Sequence, residues 1–369
     1  MQTLQRNFKI KKWLYPVSFL YGLGVRIRNK CFDWGILKQK EYPIPIICVG
    51  NITVGGTGKT PHTEFLISLL KDQYNVAVLS RGYKRKTKGY RLAVDKFNAE
   101  TIGDEPYQIK SKYPEVTVAV DENRCRGIEN LLKLNSPKID VILLDDAYQH
   151  RHVKAGLNIL LIDMNRPICE DKLLPAGLLR EPASGKHRAN IVVVTKCSDE
   201  IKPIDFNITT KQLALYPFQK LYFSNFKYGE LYPVFKDAEL EKEPKISLSS
   251  LHTFNQVLLL SGIANPIPLI NKIKEYNTAL ESLHYKDHHD FTKEDIKEIE
   301  KRFEKLTGDN KIIITTEKDA TRLVGNRYLK EDIKKYIYCL PIEVNILQQM
   351  EESFIQNILD YVREDKRDC

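Results

Sequence analysis

Apolar residues in the first half of the chain gather in short runs rather than alternating with polar ones: residues 44–49, 76–79, 116–120, 141–144, 157–162 and 191–195. Turn residues bound each run, and helix-patterned or loop segments separate them. A strand that is apolar on both faces belongs inside a sandwich, so this rhythm predicts a parallel sheet covered by helices on each side. A Tyr/Phe-rich stretch with hairpin character follows, at 220–223 and 231–235 around Gly229, and then a polar Lys/Glu/Pro segment to Pro244. The pattern resumes with strands expected at 257–260, 279–285, 311–315 and 336–340, a helix at 293–305 and a terminal helix at 348–362. The expectation is an α/β protein with a P-loop NTPase-like α/β/α sandwich over residues 41–215. A short β linker at 216–240 joins it to a smaller α/β domain at 241–369, and a distinct segment, 1–40, precedes both.

With 369 residues the chain has room for two or three domains and a sizeable core. Hydrophobic residues make up 42% and charged residues 28%, which excludes wholesale disorder and the collagen-like and disulfide-scaffold classes. The seven cysteines are odd in number and show no CxxC or other ligand spacing, so they read as reduced thiols of a cytosolic compartment.

Formal net charge is +9, and residues 1–40 supply +8 of it through nine Lys/Arg set against Asp33. A nucleic-acid binder would carry basic helices or stripes further along the chain with a recognisable reader module, and none is present. Interleaved with the charges are Trp13, Tyr15, Phe19, Leu20, Leu23, Trp34 and Ile36. Amphipathic rings with flanking cations suit the headgroup level of an anionic bilayer. The run is shorter than the ~20 apolar residues needed to span, and no small-residue cleavage site follows it. Pro16 also interrupts it. Two readings stay open: a basic amphipathic helix pair packed on the protein's own body, or a segment that also touches membrane.

Chemistry concentrates in Thr53-Val54-Gly55-Gly56-Thr57-Gly58-Lys59-Thr60, directly after an expected strand and directly before a helical pattern. Backbone N–H groups of such a loop wrap triphosphate oxygens at a helix N-terminus, and glycines permit the close approach. Lys59 would reach the β- and γ-phosphates and the Thr60 hydroxyl would ligate Mg2+. Thr53 stands where the general P-loop has its first glycine. The strand at 141–144 runs into Asp145-Asp146, where a P-loop protein places a second Mg2+-directed carboxylate, at the carboxyl edge of its sheet. Asp104, within Gly103-Asp104-Glu105-Pro106, is the candidate base for a hydroxyl acceptor; Asp before Glu-Pro suits a helix N-cap equally well. Residues 81–88 place five cations in eight positions, either a solvated tip or a headgroup contact. Residues 195–199 are similar to the base-reading segment of GTPases, but Asp199 lies one position too far along to imply guanine.

These residues resemble one family closely, the tetraacyldisaccharide 4'-kinases, the lipid A 4'-kinases of Gram-negative bacteria. The match runs from residues 49–61 through Ser80-Arg81-Gly82-Tyr83, Gly103-Asp104-Glu105-Pro106, Asn123-Arg124, Asp145-Asp146-Ala147-Tyr148-Gln149-His150-Arg151 and residues 174–182. It continues in Thr195-Lys196-Cys197, residues 261–266, Asp287-His288-His289 and Thr316-Glu317-Lys318-Asp319-Ala320, in family order. Thr53 is normal for that family, Ala147-Tyr148 departs from its usual Gly-Phe, and Leu178 stands where Pro is common.

The resemblance implies phosphoryl transfer from ATP to the 4'-hydroxyl of an acylated glucosamine disaccharide 1-phosphate in lipid A biosynthesis, at the cytoplasmic face of the inner membrane. It implies Asp104 as catalytic base, His288 as its partner from the second domain, and Lys59 with residues Thr53, Val54, Gly55, Gly56, Thr57, Gly58 and Thr60 on the phosphates. Thr60, Asp145 and Asp146 would hold Mg2+; Arg81, Tyr83, Glu105, Arg124, Gln149, His150, Arg180 and Glu181 would line the cleft or meet the substrate. ATP and Mg2+ are the implied cofactors, the glycolipid and a membrane surface the partners, and neither nucleic acid nor a protein partner is required. Without the family, two other classes fit the P-loop. An ATPase that switches a protein partner would tolerate loss of Asp104, and a membrane-anchored binding module without turnover would tolerate loss of Lys59.

Overall fold

The apolar runs become the strands Ile46–Gly50 (β1), Val76–Ser80 (β2), Arg91–Leu92 (β3), Thr117–Val120 (β4), Val141–Asp145 (β5), Leu157–Asp163 (β6), Ile191–Thr195 (β7) and Lys220–Tyr228 (β8) in a computed structural model that describes residues 10–94, 97–235, 245–287 and 289–365. A second sheet takes Tyr232–Pro233 (β9), Gln256–Ser261 (β10), Leu280–His284 (β11), Lys311–Thr316 (β12) and Ile337–Leu340 (β13) in the order β11-β10-β12-β13-β9. The next strand, Ile342–Ile346 (β14), returns to the first sheet, whose order is β14-β8-β7-β6-β1-β5-β2-β4-β3. Its interior is parallel, as continuous apolar strands require, and only the edge pairs β14·β8 and β3·β4 are antiparallel.

The helices are Tyr15–Asp33 (α1), Lys59–Leu70 (α2), Ala99–Ile102 (α3), Asp104–Lys112 (α4), Arg124–Leu131 (α5), Pro203–Leu213 (α6), Ile267–Lys274 (α7), Lys293–Lys305 (α8), Glu317–Val324 (α9), Glu331–Lys334 (α10) and Glu351–Asp365 (α11). One face of the first sheet is covered by Leu66 and Leu70 of α2, Ile109 of α4 and Phe354 of α11, the other by Ile128 of α5 and Leu213 of α6. The second sheet is sandwiched in the same way, between α8, α9 and α10 on one side and α7 on the other. Parallel strands leave every βα loop at one carboxyl edge, and the residues of the site gather along that edge.

Chain boundaries differ from the expectation in two places. Residues 220–228 form a full strand of the first sheet rather than linker, and the chain crosses between sheets at Gly229 and again at Pro341, joined by a 3.1 Å bond from the Gly229 N–H to the Pro341 carbonyl. The second sheet is therefore inserted between β8 and β14, and the terminal helix, expected with the smaller domain, packs on the first sheet. Periodicity identifies α11 as amphipathic but does not say which sheet it covers. Phe354, Ile358 and Val362, spaced by four, are buried in the core that holds Ile47 and Val78, and the Tyr361 hydroxyl accepts from Ile46 N–H at 3.0 Å and donates to its carbonyl at 3.2 Å.

The N-terminal segment also differs from a helix pair: α1 is one helix, and Pro16 sits in its first turn, where a missing N–H costs nothing. Its buried side, Ser18, Gly22 and Phe32, docks on residues 173–176 and 151–152. Trp13, Phe19, Leu20, Ile27 and Trp34 project outward, each more than half exposed. Among the described residues no helix is long and apolar enough to cross a membrane.

Candidate active site

The loop after β1 is tied from behind. Asn51 Nδ2 donates to Thr57 Oγ1 at 2.8 Å, Thr195 Oγ1 to the Thr57 carbonyl at 2.9 Å, and Arg166 Nη1 to the Val54 carbonyl at 2.9 Å. Gly55 and Gly58 take φ of +112° and +87°, and a Cβ on Gly58 would lie 2.6 Å from the Phe226 ring. His62 extends the brace: its Nδ1 donates to the Gly58 carbonyl at 2.7 Å and its Nε2 accepts from Ser224 Oγ at 3.1 Å. Burial pushes the His62 pKa down to about 4, so the ring stays neutral. With its carbonyls anchored, the loop presents the N-terminus of α2, which attracts anions.

At the end of β5 the two acids occupy different environments. Asp145 is fully buried, and burial, followed by the charges of Glu105 and Asp146, pushes its pKa up to about 7. Its Oδ1 accepts from the Thr63 hydroxyl at 3.4 Å, while its Oδ2 is buried with no hydrogen-bond partner. Asp146 lies between Arg180 Nη1 at 3.1 Å and Lys59 Nζ at 3.7 Å. Burial opposes its ionisation, but those two cations outweigh it and hold the carboxyl below its usual range. Asp146 also takes φ of +47°, the kind of backbone strain that persists at working sites.

A buried carboxylate oxygen without a donor, on an acid whose other oxygen meets a hydroxyl of the helix that follows the P-loop, has the chemistry a hard divalent cation takes. Among the described residues no three His, Cys, Asp or Glu side chains form a cage. Mg2+ shared with phosphate oxygens and water needs only one or two carboxylates, so the donor set Thr60, Asp145 and Asp146 fits it.

A bridge between Thr53 and Leu179 sets Arg180 beside the loop, with Val54 N–H on the Leu178 carbonyl at 2.7 Å and Arg180 N–H on the Ile52 carbonyl at 2.8 Å. Gln149 Nε2 donates to the Asn51 carbonyl at 2.7 Å, and Arg180 Nη1 reaches the Gln149 Oε1 at 3.5 Å. His150 Nε2 lies 3.2 Å from the Glu122 carbonyl, and burial lowers its pKa. Arg81 and Tyr83 are exposed.

Two residues expected in the cleft turn away from it. Glu181 is 1% exposed and accepts from Arg188 at 2.9 Å and from Asn29 of α1 at 3.1 Å. Arg180 faces Asp146, whereas Glu181 is held by Arg188 and by Asn29 of α1. Arg124, also 1% exposed, donates to the carbonyls of Asp121 at 2.6 Å and Asp145 at 3.2 Å. It holds the strand end that carries the acids instead of presenting its charge to a ligand.

Asp104 is the first residue of α4. The N-cap is Gly103, at φ +95°, and no side chain caps the helix, so the capping alternative is not the one adopted. A Cβ on Gly103 would lie 2.9 Å from the Tyr83 carbonyl, which sets the 81–83 turn against the start of α4. The Asp104 carboxylate pairs with Arg322 of α9, from the second unit. His288 lies outside the described residues. Its neighbours are held, Asp287 by Lys318 at 2.7 Å and His289 by Asp295 at 2.8 Å, with His289 stacked on the Tyr285 ring.

The family model for tetraacyldisaccharide-1-P 4'-kinase, LpxK, matches residues 10–362 of this chain. The chain belongs to that family. A tetraacyldisaccharide 4'-kinase of Bacteroides thetaiotaomicron is 57% identical over 97% of this chain and 95% of its own length. Another, from Porphyromonas gingivalis W83, is 45% identical over 97% of this chain and 99% of its own. The solved LpxK of Aquifex aeolicus in complex with ATP superposes with a TM-score of 0.71 at 29% identity, covering 95% of this chain and 99% of that one. The resemblance and the P-loop α/β fold expected from sequence are borne out, and the chain is a kinase.

Several residues around the kinase site give no local sequence signal. His62 looks like an ordinary helix residue, and Arg322 lies only two positions beyond the 316–320 motif. Glu64 and Lys112 are similarly silent, yet Lys112 Nζ sits 2.6 Å from both Glu64 of α2 and Glu317 of α9, joining the P-loop helix to the second unit. Gln108 Nε2 adds a 2.7 Å bond to Glu64.

This cluster carries a pH signature. Burial, then the nearby Glu317 charge, pushes the Glu64 pKa up to about 7 from 4.5, against the opposing pull of Lys112 and Gln108. The folded state then holds this proton more tightly than the unfolded chain. The stability it contributes is full below about pH 4.5 and is lost as pH rises toward about 7. Glu64→Gln is therefore expected to raise the thermal midpoint relative to wild type progressively between pH 5 and 8, read by calorimetry. A difference that stays flat with pH would place the proton elsewhere.

Proposed function

We propose that this chain transfers the γ-phosphoryl group of ATP to the 4'-hydroxyl of tetraacyldisaccharide 1-phosphate, with Asp104 as base assisted by His288. The observation that carries the reading lies on one carboxyl edge of the sheet. There the Lys59–Asp146–Arg180 charge cluster flanks the P-loop, and Asp104 heads a helix whose N-cap is glycine. The Glu105 charge acts on Asp145, which ties the start of α4 to the acids of β5.

P-loop N–H groups and Lys59 would take the charge of the β- and γ-phosphates, with Asp146 keeping the ammonium in place between turnovers. Thr60, Asp145 and Asp146 would hold Mg2+, which when bound neutralises charge on the transferring phosphoryl group. The 4'-oxygen forms its bond to phosphorus as the bond from phosphorus to the β–γ bridging oxygen breaks and ADP leaves. The hydroxyl proton passes to the Asp104 carboxylate, and His288 would orient that carboxylate or share its proton. Arg81, Tyr83, Gln149 and His150 border the region where the disaccharide would lie, and the second unit would exclude water above it.

Transfer of labelled γ-phosphate from ATP with Mg2+ to purified tetraacyldisaccharide 1-phosphate in detergent micelles tests this. Label on the lipid at the 4' position is expected. Release of free phosphate at a rate indifferent to the lipid would refute it and favour an ATPase that switches a protein.

The outward face of α1 supports a peripheral seat on the cytoplasmic face of the inner membrane. Apolar side chains face out while Tyr21 and Asn29 on the inner side bond the Arg180 carbonyl at 2.8 Å and Glu181 at 3.1 Å, next to the cleft. Leu20→Asp combined with Ile27→Asp is expected to weaken sedimentation with anionic vesicles about 10-fold or more, since each exposed aliphatic side chain buried in the interface is worth ~1.5–3 kcal/mol. Unchanged partition would exclude this face as the membrane contact.

A further inference from the structure

Helices α4 and α9 lie antiparallel with charged pairs at both ends. Lys112 at the end of α4 meets Glu317 at the start of α9 at 2.6 Å, and Asp104 at the start of α4 meets Arg322 near the end of α9. Both ends match the helix dipoles, a carboxylate at an N-terminus and a cation at a C-terminus.

The Arg322 side chain is only 4% exposed. A guanidinium keeps its charge at any physiological pH, so a buried one must be answered by partners. Within its own unit Arg322 Nη1 donates to the His289 carbonyl at 3.3 Å and lies 3.7 Å from Asp319 Oδ1. Asp319 is already committed through its other oxygen, which accepts from the Thr316 hydroxyl at 2.7 Å and the Gly262 N–H at 2.8 Å. The closer carboxylate contact of Arg322 is to Asp104, 218 residues away in sequence and on the other unit.

We propose that Arg322 is a positioning residue for phosphoryl transfer: it seats the second α/β unit against the Asp104 carboxylate while gripping the carbonyl of His289, the residue next to His288 in sequence. The inference rests on the reading of Asp104 as the base. One planar guanidinium sends Nη2 to the Asp104 carboxylate and Nη1 to the His289 carbonyl, a fixed angle between two partners that a point charge holds less well. Arg322 thereby ties together the two places in the chain from which the base and its histidine come. Closure of the second unit and orientation of the base become one event.

The test compares wild type, Arg322→Ala, Arg322→Lys, Asp104→Asn and the Asp104→Asn/Arg322→Ala double variant in the labelled-transfer assay, with thermal midpoints measured alongside. Arg322→Ala is expected to lower kcat about 10²-fold, the cost of a misplaced catalytic group, with KM for ATP and lipid changed less than about threefold. Arg322→Lys should recover about tenfold of that loss, because charge returns without the fork. The double variant should fall within about twofold of Asp104→Asn alone, since a positioning residue has nothing left to position. An unchanged kcat in Arg322→Ala would overturn the proposal. So would losses in Ala and Lys variants that are equal and follow the thermal midpoint, or additive losses in the double variant. Wild-type transfer by Asp104→Asn would instead remove Asp104 as base, a failure of the underlying reading that shows in a variant where Arg322 is intact.

Discussion

Lys59→Ala is expected to lower phosphoryl transfer about 10²–10³-fold, the effect of removing one preorganised charge donor from a site of this kind. The Lys59 side chain is 12% exposed, in an environment where its charge is poorly screened, and its nearest carboxylate, Asp146, also has Arg180. Loss of the lysine should therefore leave Asp146 paired and the fold close to wild type, while on the proposed mechanism the γ-phosphate would lose the cation that follows its charge into the transition state. ATP affinity should fall as well, because the β- and γ-phosphates are charged before the reaction begins. Labelled transfer and nucleotide binding, measured together, check both parts. Activity within about tenfold of wild type would remove Lys59 from the phosphate site.

Asp104→Asn is expected to lower kcat about 10²–10⁴-fold while ATP binding is retained, the range for loss of a general base. The contrast with Lys59 is diagnostic: one variant loses nucleotide and chemistry, the other chemistry alone. The substitution also takes a charge from Arg322. An uncompensated buried ion can cost ~3–5 kcal/mol, and the cost here should be smaller because Asp319 remains near and Asp104 is 16% exposed. Retained ATP binding shows that the remaining loss is not unfolding. Transfer at the wild-type rate would exclude Asp104 as the base and favour a different proton acceptor.

Much of the site can be read in the chain before it folds. Gly55, Gly58 and Lys59 between an apolar run and a helical pattern define a phosphate loop, because the backbone angles and the helix end it needs are local requirements. Asp145 and Asp146 at a strand end are legible for the same reason, although their sequence gives no hint that one has its pKa pushed up to about 7 while the other is held low by two cations. Arg180 and Glu181 are adjacent in the chain, yet the fold pairs Arg180 with Asp146 and buries Glu181 against Arg188.

Sequence alone determined the sheet-forming runs, the phosphate loop, the acidic strand end and the family, all of which depend on residue types at short spacing. Tertiary structure alone decided that α11 and β14 close the first sheet, that Arg124 and Glu181 are buried braces, and that Arg322 meets Asp104 across 218 residues. The physical reason is that a side chain's charge state and partner depend on how much water surrounds it and which groups lie within a few ångströms. Both are properties of the folded chain, set by contacts that no local pattern encodes.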